Sequence, residues 1–212
     1  MDSHRIAAWL TPFIPGLTRA QLQSISMYID ILLRWNRRIN LTAVRDPDEI
    51  VTRHFGESLF AARYLLAPGD TLTVIDVGSG AGFPGLPLKL YAPAIRLTLI
   101  ESHARKAAFL REIIRALGLT DATVFNGRAQ DFSARADLIT LRAVEKFQRI
   151  LPAAARLVVP AGRLALLVGA AQLPLASRLL PACTWSEPIP VPHSTGRVLA
   201  LATYPSSHEP AF

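Results

Sequence analysis

Cysteine is almost absent from this sequence, which has one thiol, Cys183, among 212 residues. An internal disulfide is therefore excluded, and we expect a protein of the reducing cytoplasm. No apolar run approaches the roughly 18 residues that suggest a membrane-spanning helix, so we expect no contact with a membrane. The N-terminus also lacks the basic and then apolar segments of a signal peptide.

Acidic residues and lysine are scarce as well. Lys and Arg number 23 against 16 Asp and Glu, which gives a net charge of +7, and only three of the 23 are lysines. Arginine forms bidentate bonds with phosphate and stacks on bases better than lysine does, although an arginine-rich codon usage would produce the same bias. The net charge indicates a polyanionic partner.

The first third of the chain is predicted to be helical. We expect an irregular lead-in over residues 1–18, a helix over 19–35 capped by Thr18, and a second helix reaching about Leu66. Asp46 can cap that second helix, and Glu49 can complete a capping box. Pro68-Gly69-Asp70 then interrupts the pattern. These features predict an N-terminal helical region, residues 1–68, and a second region, residues 69–212.

Apolar strands and amphipathic helices alternate after residue 69, which indicates a mostly parallel sheet with helices on both faces. The clearest helix runs from Ser102, as cap, to Leu117. The last two strands predict an antiparallel hairpin at the sheet edge. Strands are predicted at 72–77, 95–100, 122–126, 136–141, 163–168 and 197–204, with a weaker seventh near 183–190.

A glycine-rich loop follows the first of these strands. Residues 73–87 read T-V-I-D-V-G-S-G-A-G-F-P-G-L-P, with glycine at positions 78, 80, 82 and 85. A strand that leads into such a loop and then into a helix binds nucleotides in doubly wound folds. Residues 80–85 also match the dinucleotide fingerprint G-x-G-x-x-G. The loop therefore predicts a nucleotide site without naming the nucleotide.

Two residues favour S-adenosylmethionine over a nicotinamide dinucleotide. Asp76 would place a carboxylate near the loop, which suits a cationic sulfonium and amino group better than a pyrophosphate. Pro84 removes an amide donor that a pyrophosphate would use. Glu101, at the end of the second strand, can accept both ribose hydroxyls of either cofactor. An NAD-dependent oxidoreductase stays open at this point, as does a non-catalytic RNA-binding protein.

Several short motifs together resemble one known family. They are Trp35-Asn36, Asn40-Leu41-Thr42, Arg45-Asp46-Pro47, Arg53-His54, the loop from Ile75 to Pro87, Glu101-Ser102, Arg105-Lys106, Phe109-Leu110, Arg128 and Arg142-Ala143. Their order and spacing, from about Leu32 to Thr203, resemble the small-subunit ribosomal RNA methyltransferase G family, also called the glucose-inhibited division protein B family.

The resemblance implies an α/β, class I S-adenosylmethionine-dependent methyltransferase. Such a protein has a Rossmann-like, mostly parallel seven-stranded sheet with a C-terminal antiparallel hairpin, here with an N-terminal helical extension. It methylates N7 of a guanine in 16S rRNA near the decoding site. The expected partner is therefore 16S rRNA or the small ribosomal subunit, and we expect a monomer.

The same resemblance implies roles for individual residues. Gly78 and Phe83 would line the methionine side of the cofactor, with Gly80 in the loop, and Ala129 and Gln130 would lie against the adenine. Arg142 would lie beside the sulfonium and connect the cofactor site with RNA. Its alternative is a structural salt bridge to Asp137 or Glu145. The candidate RNA-binding residues are Arg37, Arg38, Asn40, Arg45, His54, Arg105, Lys106 and Arg197. Three alternatives stay open: Arg37 and Arg38 can complement the dipole of the helix that ends before them, His54 can be a structural histidine, and Arg105 and Lys106 can belong to a solvated helix face.

Methylation at guanine N7 makes few demands on the protein, because N7 carries an in-plane lone pair and loses no proton. Alignment and a dry site suffice, without a general base. The sequence agrees, since no N-P-P-aromatic motif follows the fourth strand, where Leu141-Arg142-Ala143-Val144 stands. The histidines lack metal-ligand spacing, so no metal is expected. One residue departs from the family: Val168 stands where a lysine usually precedes glycine, and Arg197 or Arg142 would have to replace it.

Overall fold

One β-sheet organises the chain in the computed structural model, which describes residues 1–144 and 146–206. The strands are β1 Thr73–Val77, β2 Arg96–Ile100, β3 Ala122–Phe125, β4 Ala136–Arg142, β5 Val158–Gly169, β6 Thr184–Trp185, β7 Ile189–Pro190 and β8 Arg197–Thr203. The helices are α1 Ser3–Leu10, α2 Arg19–Asn36, α3 Pro47–Glu49, α4 Glu57–Leu65, α5 Gly85–Tyr91, α6 Ala104–Ala116, α7 Phe147–Ala155 and α8 Leu173–Leu179, with a π-helix at Ile50–Gly56 and 3-10 turns at Ala129–Asp131 and Ala170–Gln172.

The strand order is β3-β2-β1-β4-β5-β8-β6, and β7 also pairs with β8. Strands β1 to β5 run parallel, whereas β8 is antiparallel to β5, β6 and β7. The predicted parallel sheet and terminal hairpin are therefore present. The weak seventh strand is two short strands, because Pro188 lies between them and has no N–H for a continuous ladder. The described residues thus form eight strands, and β8 is interior to the sheet.

The sequence predicted the start of α2 correctly but not the structure of residues 1–18 before it. Thr18 Oγ1 accepts the N–H of Gln21 at 3.2 Å, and Gln21 Oε1 accepts the N–H of Thr18 at 2.9 Å. The predicted cap is confirmed as a full capping box. The predicted lead-in is wrong, since α1 forms there with Ile6 and Leu10 fully buried. Tertiary packing stabilises this short helix despite the prolines that follow it.

The second helical segment is continuous from Pro47 to Leu65, but its middle is a π-helix. Asp46 Oδ1 accepts the N–H groups of Asp48 and Glu49, so the predicted cap is confirmed. Glu49 does not complete a capping box, because its carboxylate accepts Nη1 of Arg53 at 2.6 Å. Short π-helical turns inside α-helices occur frequently at functional sites.

Helix α6 begins one residue later than predicted, at Ala104 with His103 as its N-cap. Ser102 does not cap it; instead the N–H of His103 donates to Glu101 Oε1 at 2.7 Å. The predicted inward positions Ala107, Leu110 and Ile113 are fully buried. The acidic residue at the end of β2 therefore stabilises the strand-to-helix turn, a role that the sequence pattern assigned to the serine.

The helical N-terminal segment packs against α5 and α6, and α5 packs on β1 and β2. Ile6, Tyr28 and Leu59 belong to the same buried apolar cluster as Leu97 and Leu99 of β2. The other face of the sheet packs against α7 and α8 in a second cluster. The boundary between residues 68 and 69 stays a prediction, since the apolar core is continuous across it.

Candidate active site

A cleft of about 620 Å³ opens at the carboxyl ends of β1, β2 and β4. Doubly wound sheets bind their ligands at this edge. All seven residues predicted for the cofactor site line this cleft: Gly78, Gly80, Phe83, Glu101, Ala129, Gln130 and Arg142. The structure thus brings the whole predicted set together, over 65 residues of sequence, and what the residues bind stays a prediction.

The backbone amides of the glycine loop bond within the protein. The N–H groups of Gly78 and Ser79 donate to the carbonyl of Ile100, at 2.9 and 3.1 Å. The N–H of Gly80 donates to Glu101 Oε2 at 2.9 Å, and that of Gly82 donates to the carbonyl of Ser79 at 2.6 Å. These four amides are therefore not a free cradle for a pyrophosphate, which needs unpaired N–H groups.

Gly78 forms a narrow part of the cleft. Its φ is +71°, and a Cβ there would come within 2.9 Å of Val144 Cγ1. Both the backbone conformation and the close neighbour require glycine at this position. Any side chain would close the cleft between the loop and the residues that follow β4.

Glu101 presents its carboxylate to the cleft while holding the loop. One oxygen accepts the N–H of Gly80 and the other accepts the N–H of His103. The side-chain amide of Asn126 donates to the carbonyl of Glu101 at 2.9 Å and fixes its backbone. Because a carboxylate has about four lone-pair sites, each oxygen can accept one further bond from a ligand.

Asp76 does not face the cleft, contrary to the expectation from the sequence. Side chains alternate along β1, so Val77 lines the cleft and Asp76 points to the opposite face. There Thr140 Oγ1 donates to Asp76 Oδ1 at 2.7 Å. Burial raises the pKa of Asp76 to about 6, against the opposing hydrogen bond from Thr140. Asp76 is thus a residue of the core beneath the loop. Its carboxylate does not favour a cationic cofactor, although the sequence suggested that it would.

His54 is packed into the cleft wall as a neutral side chain. Its ring stacks on Phe83, with centroids 4.9 Å apart. Its Nε2 lies 2.7 Å from Thr42 Oγ1, which already accepts the N–H of Val44. The hydroxyl of Thr42 thus joins the ring of His54 to the backbone of Val44 by two hydrogen bonds. Burial, together with Arg142, Arg53 and Arg197, lowers the pKa of His54 to about 3.

Arg142 pairs with an acidic residue that sequence reasoning did not connect to it. Its Nη2 lies 2.8 Å from Glu57 Oε2 and also donates to the carbonyl of Arg53. The other carboxylate oxygen of Glu57 lies 2.8 Å from Arg197 Nη2. The side chains of Glu57, Arg142 and Arg197 are 3%, 8% and 32% exposed. One carboxylate thus joins two cations in the wall of the cleft.

The expected alternative for Arg142 was a salt bridge to Asp137 or Glu145. Asp137 instead accepts the N–H and the hydroxyl of Thr73, at 2.8 and 2.5 Å. Glu145 lies outside the described residues. The pKa of Arg142 is lowered, first by burial and against the attraction of Glu57. No local signal marks Glu57, because its two partners are distant in sequence.

Positive charge surrounds the cleft. Glu101 is the one acidic residue among the described residues that line it, and the basic ones are Arg53, Lys106, Arg128, Arg142, Lys146, Arg149 and Arg197. Sequence reasoning missed Lys146 and Arg149, although their spacing of three residues around the start of α7 could have placed them on one face. Low-dielectric walls around such a cluster concentrate its potential on an anionic ligand.

The predicted RNA-binding residues fall into three groups. His54, Lys106 and Arg197 line the cleft. A second groove, described below, contains Arg37, Arg38 and Arg105. Asn40 and Arg45 are exposed and line neither. Whether any of them contacts RNA stays a prediction.

Arg197 also lies next to the position where the family usually has lysine. Val168 is buried in β5 opposite Val198, and Arg197 is opposite Gly169. The side chain of Arg197 reaches the cleft. A cation is therefore present beside Val168, supplied by the neighbouring strand, as the sequence suggested.

No group of three or more potential metal ligands occurs within residues 1–144 and 146–206. None of the helices in the same part of the chain is both long enough and apolar enough to cross a membrane.

Comparisons with known proteins agree on one family. The family model for rRNA small subunit methyltransferase G matches residues 21–187. Ribosomal RNA small subunit methyltransferase G of Xylella fastidiosa (strain M23) is 39% identical over 156 residues, which are 73% of this chain and 72% of that protein. The protein of the same name from Stenotrophomonas maltophilia (strain K279a) is 40% identical over 156 residues, with the same coverage of 73% and 72%.

Solved structures resemble the fold at low sequence identity. Ribosomal protein L11 methylase from Lactobacillus delbrueckii subsp. bulgaricus has a TM-score of 0.61 at 15% identity, over 72% of this chain and 79% of that one. A SAM-dependent methyltransferase from Aquifex aeolicus has a TM-score of 0.57 at 16% identity, over 74% and 92%. These likenesses identify the class I methyltransferase fold. With the family model and the relatives, they lead to one conclusion: the chain belongs to the rRNA small subunit methyltransferase G family.

Proposed function

We propose that this protein transfers the methyl group of S-adenosylmethionine to N7 of a guanine in 16S rRNA. One observation carries the proposal: a single cleft combines an amide-held carboxylate, Glu101, with seven cationic side chains. The carboxylate suits the ribose of a nucleoside, and the cations suit the phosphates of a nucleic acid. A family of rRNA methyltransferases supplies the reaction that joins the two.

The loop chemistry fits S-adenosylmethionine better than a dinucleotide. The amides of Gly78, Ser79, Gly80 and Gly82 are already bonded within the protein, so a pyrophosphate would find few donors. S-adenosylmethionine carries no phosphate and needs none of them. This argument replaces the one from Asp76, whose side chain lies on the other face of β1. The relatives also give no support to an oxidoreductase.

The residues of the cleft would hold the cofactor in a fixed orientation. The two oxygens of Glu101 would each accept a ribose hydroxyl beside their bonds to the backbone. Ala129 and Gln130, in the turn after β3, would lie against the adenine. Gly78 and Phe83 would border the methionine side, where a Cβ on Gly78 leaves no room. Once bound, the cofactor supplies an activated methyl group on a cationic sulfur.

The acceptor is proposed from the chemistry that the cleft can and cannot perform. Guanine N7 attacks with its own lone pair, whereas an exocyclic amine must also lose a proton. Among the described residues that line the cleft, Glu101 is the one carboxylate and bonds two amides, and the ring of His54 bonds to Thr42 and has a pKa lowered to about 3. His103 also lines the cleft, at the start of α6. Because guanine N7 needs orientation alone, the proposed reaction uses none of these three groups as a base.

The basic residues would position the RNA. Arg53, Arg128, Lys146 and Arg149 border the cleft and would neutralise phosphates on both sides of the target nucleotide. Arg142 would remain cationic in its pair with Glu57 and keep the wall next to the sulfonium rigid. We expect the protein to act as a monomer, in the cytoplasm where ribosomal RNA is modified.

The deciding experiment is mass-spectrometric mapping of methylated nucleotides after reaction with unmodified small subunits and with protein-free 16S rRNA. We expect one methyl group on N7 of one guanine. A methyl group on an exocyclic amine would overturn the choice of acceptor, and no transfer to either substrate would overturn the enzymatic function. Calorimetry with S-adenosylhomocysteine and with NAD tests the cofactor separately, and tighter binding of NAD would overturn it.

A further inference from the structure

A second groove, of about 640 Å³, lies between the C-terminal end of α2 and α6. The end of α2 and the residues after it contribute Arg34, Trp35, Arg37, Arg38 and Ile39, and α6 contributes Arg105 and Glu112. We refer to these seven residues as the arginine groove. It shares no lining residue with the cleft.

The four arginines of the groove have no partner among the described residues. None of them forms an ion pair or a side-chain hydrogen bond there, in contrast to Arg53, Arg142 and Arg197 of the cleft. The one acid of the groove, Glu112, accepts Nε1 of Trp35 at 2.9 Å. Four guanidinium groups therefore face one carboxylate that is already bonded, which leaves a strongly positive groove.

Helix electrostatics explain part of this charge. Arg34 lies in the last turn of α2 and Arg37 is its C-cap, where the helix dipole favours a cation. Arg105 is the second residue of α6, where the helix dipole repels a cation. The position of Arg105 beside the other three arginines is therefore not explained by the dipoles, and an anionic ligand would account for it.

The groove joins the proposed active site through two neighbouring residues. Arg105 lines the groove, and Lys106, the next residue of α6, lines the cleft. A polyanion with one unit in the cleft can therefore cross the first turn of α6 and continue into the groove.

We propose that the arginine groove binds the sugar–phosphate backbone of the rRNA that flanks the target guanine. This inference rests on the proposed function and assigns it a second docking site. Guanidinium groups recognise phosphate by bidentate bonds and carry no base specificity of their own. The groove thus sets affinity and orientation on the RNA, while the cleft selects the nucleotide.

The experiment compares two variants of the full chain with equal loss of charge. The groove variant is Arg37→Gln/Arg38→Gln/Arg105→Gln, and the control is Arg111→Gln/Arg115→Gln/Arg178→Gln. The control residues are exposed and lie outside both the groove and the cleft. Binding to protein-free 16S rRNA is measured by filter retention between about 50 and 200 mM salt, where phosphate contacts dominate the salt dependence.

The groove variant should bind the RNA at least about tenfold more weakly than the control, and its KM for RNA should rise in parallel. The slope of log affinity against log salt should fall by about 2, since each lost phosphate contact removes about 0.7 to 0.9. Affinity for S-adenosylhomocysteine should match that of the control, which also verifies that the variant is folded.

Equal binding and equal salt slopes for the two variants would overturn the proposal. So would a loss of affinity for intact small subunits without a loss for protein-free RNA, because the partner would then be an acidic ribosomal protein. The binding assay needs no methyl transfer. Failure of the groove is therefore distinguishable from failure of the proposed function, in which the wild-type protein itself transfers no methyl group.

Discussion

The guanidinium of Arg142, at the end of β4, lies 2.8 Å from the carboxylate of Glu57, the first residue of α4. The same guanidinium donates to the carbonyl of Arg53, inside the π-helix. The amide of Glu57 bonds to the carbonyls of Thr52 and His54, and the carbonyl of Arg53 between them accepts from Arg142. The π-helical turn and the buried carboxylate together fix the position of Arg142 in the cleft wall.

Replacing Glu57 by glutamine should destabilise the protein strongly. Glu57→Gln leaves Arg142 and Arg197 without their shared counter-charge, and Arg142 is 8% exposed. Breaking a buried ion pair from one side costs about 3 kcal/mol or more, because an uncompensated charge stays buried. Urea unfolding measures the loss.

The matched control is Glu49→Gln, which removes an exposed pair with Arg53 on the same helical segment. An exposed pair contributes under about 1 kcal/mol. Equal losses for the two variants would mean that Glu57 does not stabilise the buried arginine. If Glu57 positions Arg142, Glu57→Asp should be more stable than Glu57→Gln, because it keeps the negative charge. Its kcat should nevertheless stay below that of the wild type, because the shorter side chain moves Arg142.

Features that depend on neighbouring residues could be predicted from the sequence. The strands, the caps at Thr18 and Asp46 and the glycine loop all arise from local patterns, and the structure confirms them. The family, the class I methyltransferase fold and the S-adenosylmethionine-dependent methyltransferase activity are confirmed as well. The motifs that carry these predictions lie at a strand end or in a loop, where residue type is tightly constrained.

Features that depend on which surfaces meet could not be predicted. Asp76 follows the alternation of β1, but the sequence does not say which face of that strand borders the cleft. Arg142 and Glu57 are separated by 85 residues, and no periodicity relates them. The same holds for the arginine groove, which joins the end of α2 to the start of α6. These contacts require the tertiary fold.

His54 should make the stability of the protein depend on pH. Its pKa is lowered from 6.5 to about 3, so the unfolded chain binds the proton more readily between these values. The stability that His54 contributes is complete above pH 6.5 and declines as the pH falls, by up to about 1.4 kcal/mol per pH unit. Between pH 7.5 and pH 5, the free energy of unfolding of His54→Gln, measured in urea, should therefore fall by about 2 kcal/mol less than that of the wild type.

The control for this effect is His4→Gln, since His4 is exposed in α1. That variant should retain the pH dependence of the wild type. The interpretation of His54 as a buried neutral side chain would be contradicted by parallel curves for His54→Gln and the wild type.

Asp76 should affect the pH dependence of stability in the direction opposite to His54. Its pKa is raised from 3.8 to about 6, so the folded protein binds this proton more tightly than the unfolded chain does. The stabilising contribution is present below pH 3.8 and is lost as the pH rises through 6. Asp76→Asn cannot ionise, so its free energy of unfolding should rise relative to that of the wild type by about 2.4 kcal/mol between pH 4 and pH 7, at about 1.4 kcal/mol per pKa unit. A difference that does not change with pH would contradict the raised pKa.

Glu101 should determine cofactor affinity. In Glu101→Gln the amide nitrogen cannot accept, so the bond to Gly80 or the bond to His103 is lost together with the negative charge. A hydrogen bond to a charged group contributes about 1.5 to 3 kcal/mol, which is about tenfold or more in affinity. Calorimetry with S-adenosylhomocysteine should detect that loss. Asp131→Asn, an exposed acid outside the cleft, is the control and should bind normally.

Gly82 should tolerate no side chain. We expect the clash with neighbouring residues to destabilise a variant more than the strain of its backbone does. Its φ is +88°, and a Cβ there would lie 2.2 Å from the hydroxyl oxygen of Tyr28. That hydroxyl donates to the carbonyl of Ala81 at 2.5 Å and cannot easily move. Gly118, at φ +60°, has nothing within 4 Å of the same position. Gly118→Ala should lower the free energy of unfolding by about 1 to 2 kcal/mol, because of backbone strain. Gly82→Ala should lower it by about 1 to 3 kcal/mol more, because of overpacking.

A double-mutant cycle separates the steric contact of Gly82 from its backbone strain. Tyr28→Phe removes the oxygen that the new Cβ would meet, at the cost of the bond to Ala81. If the contact is the cause, Gly82→Ala should destabilise the Tyr28→Phe protein less than the wild type, with a coupling of about 0.5 kcal/mol or more in urea unfolding. Strict additivity would exclude the oxygen of Tyr28 as the cause, and would leave the backbone conformation and Leu86, whose Cδ1 lies 2.5 Å from the same position.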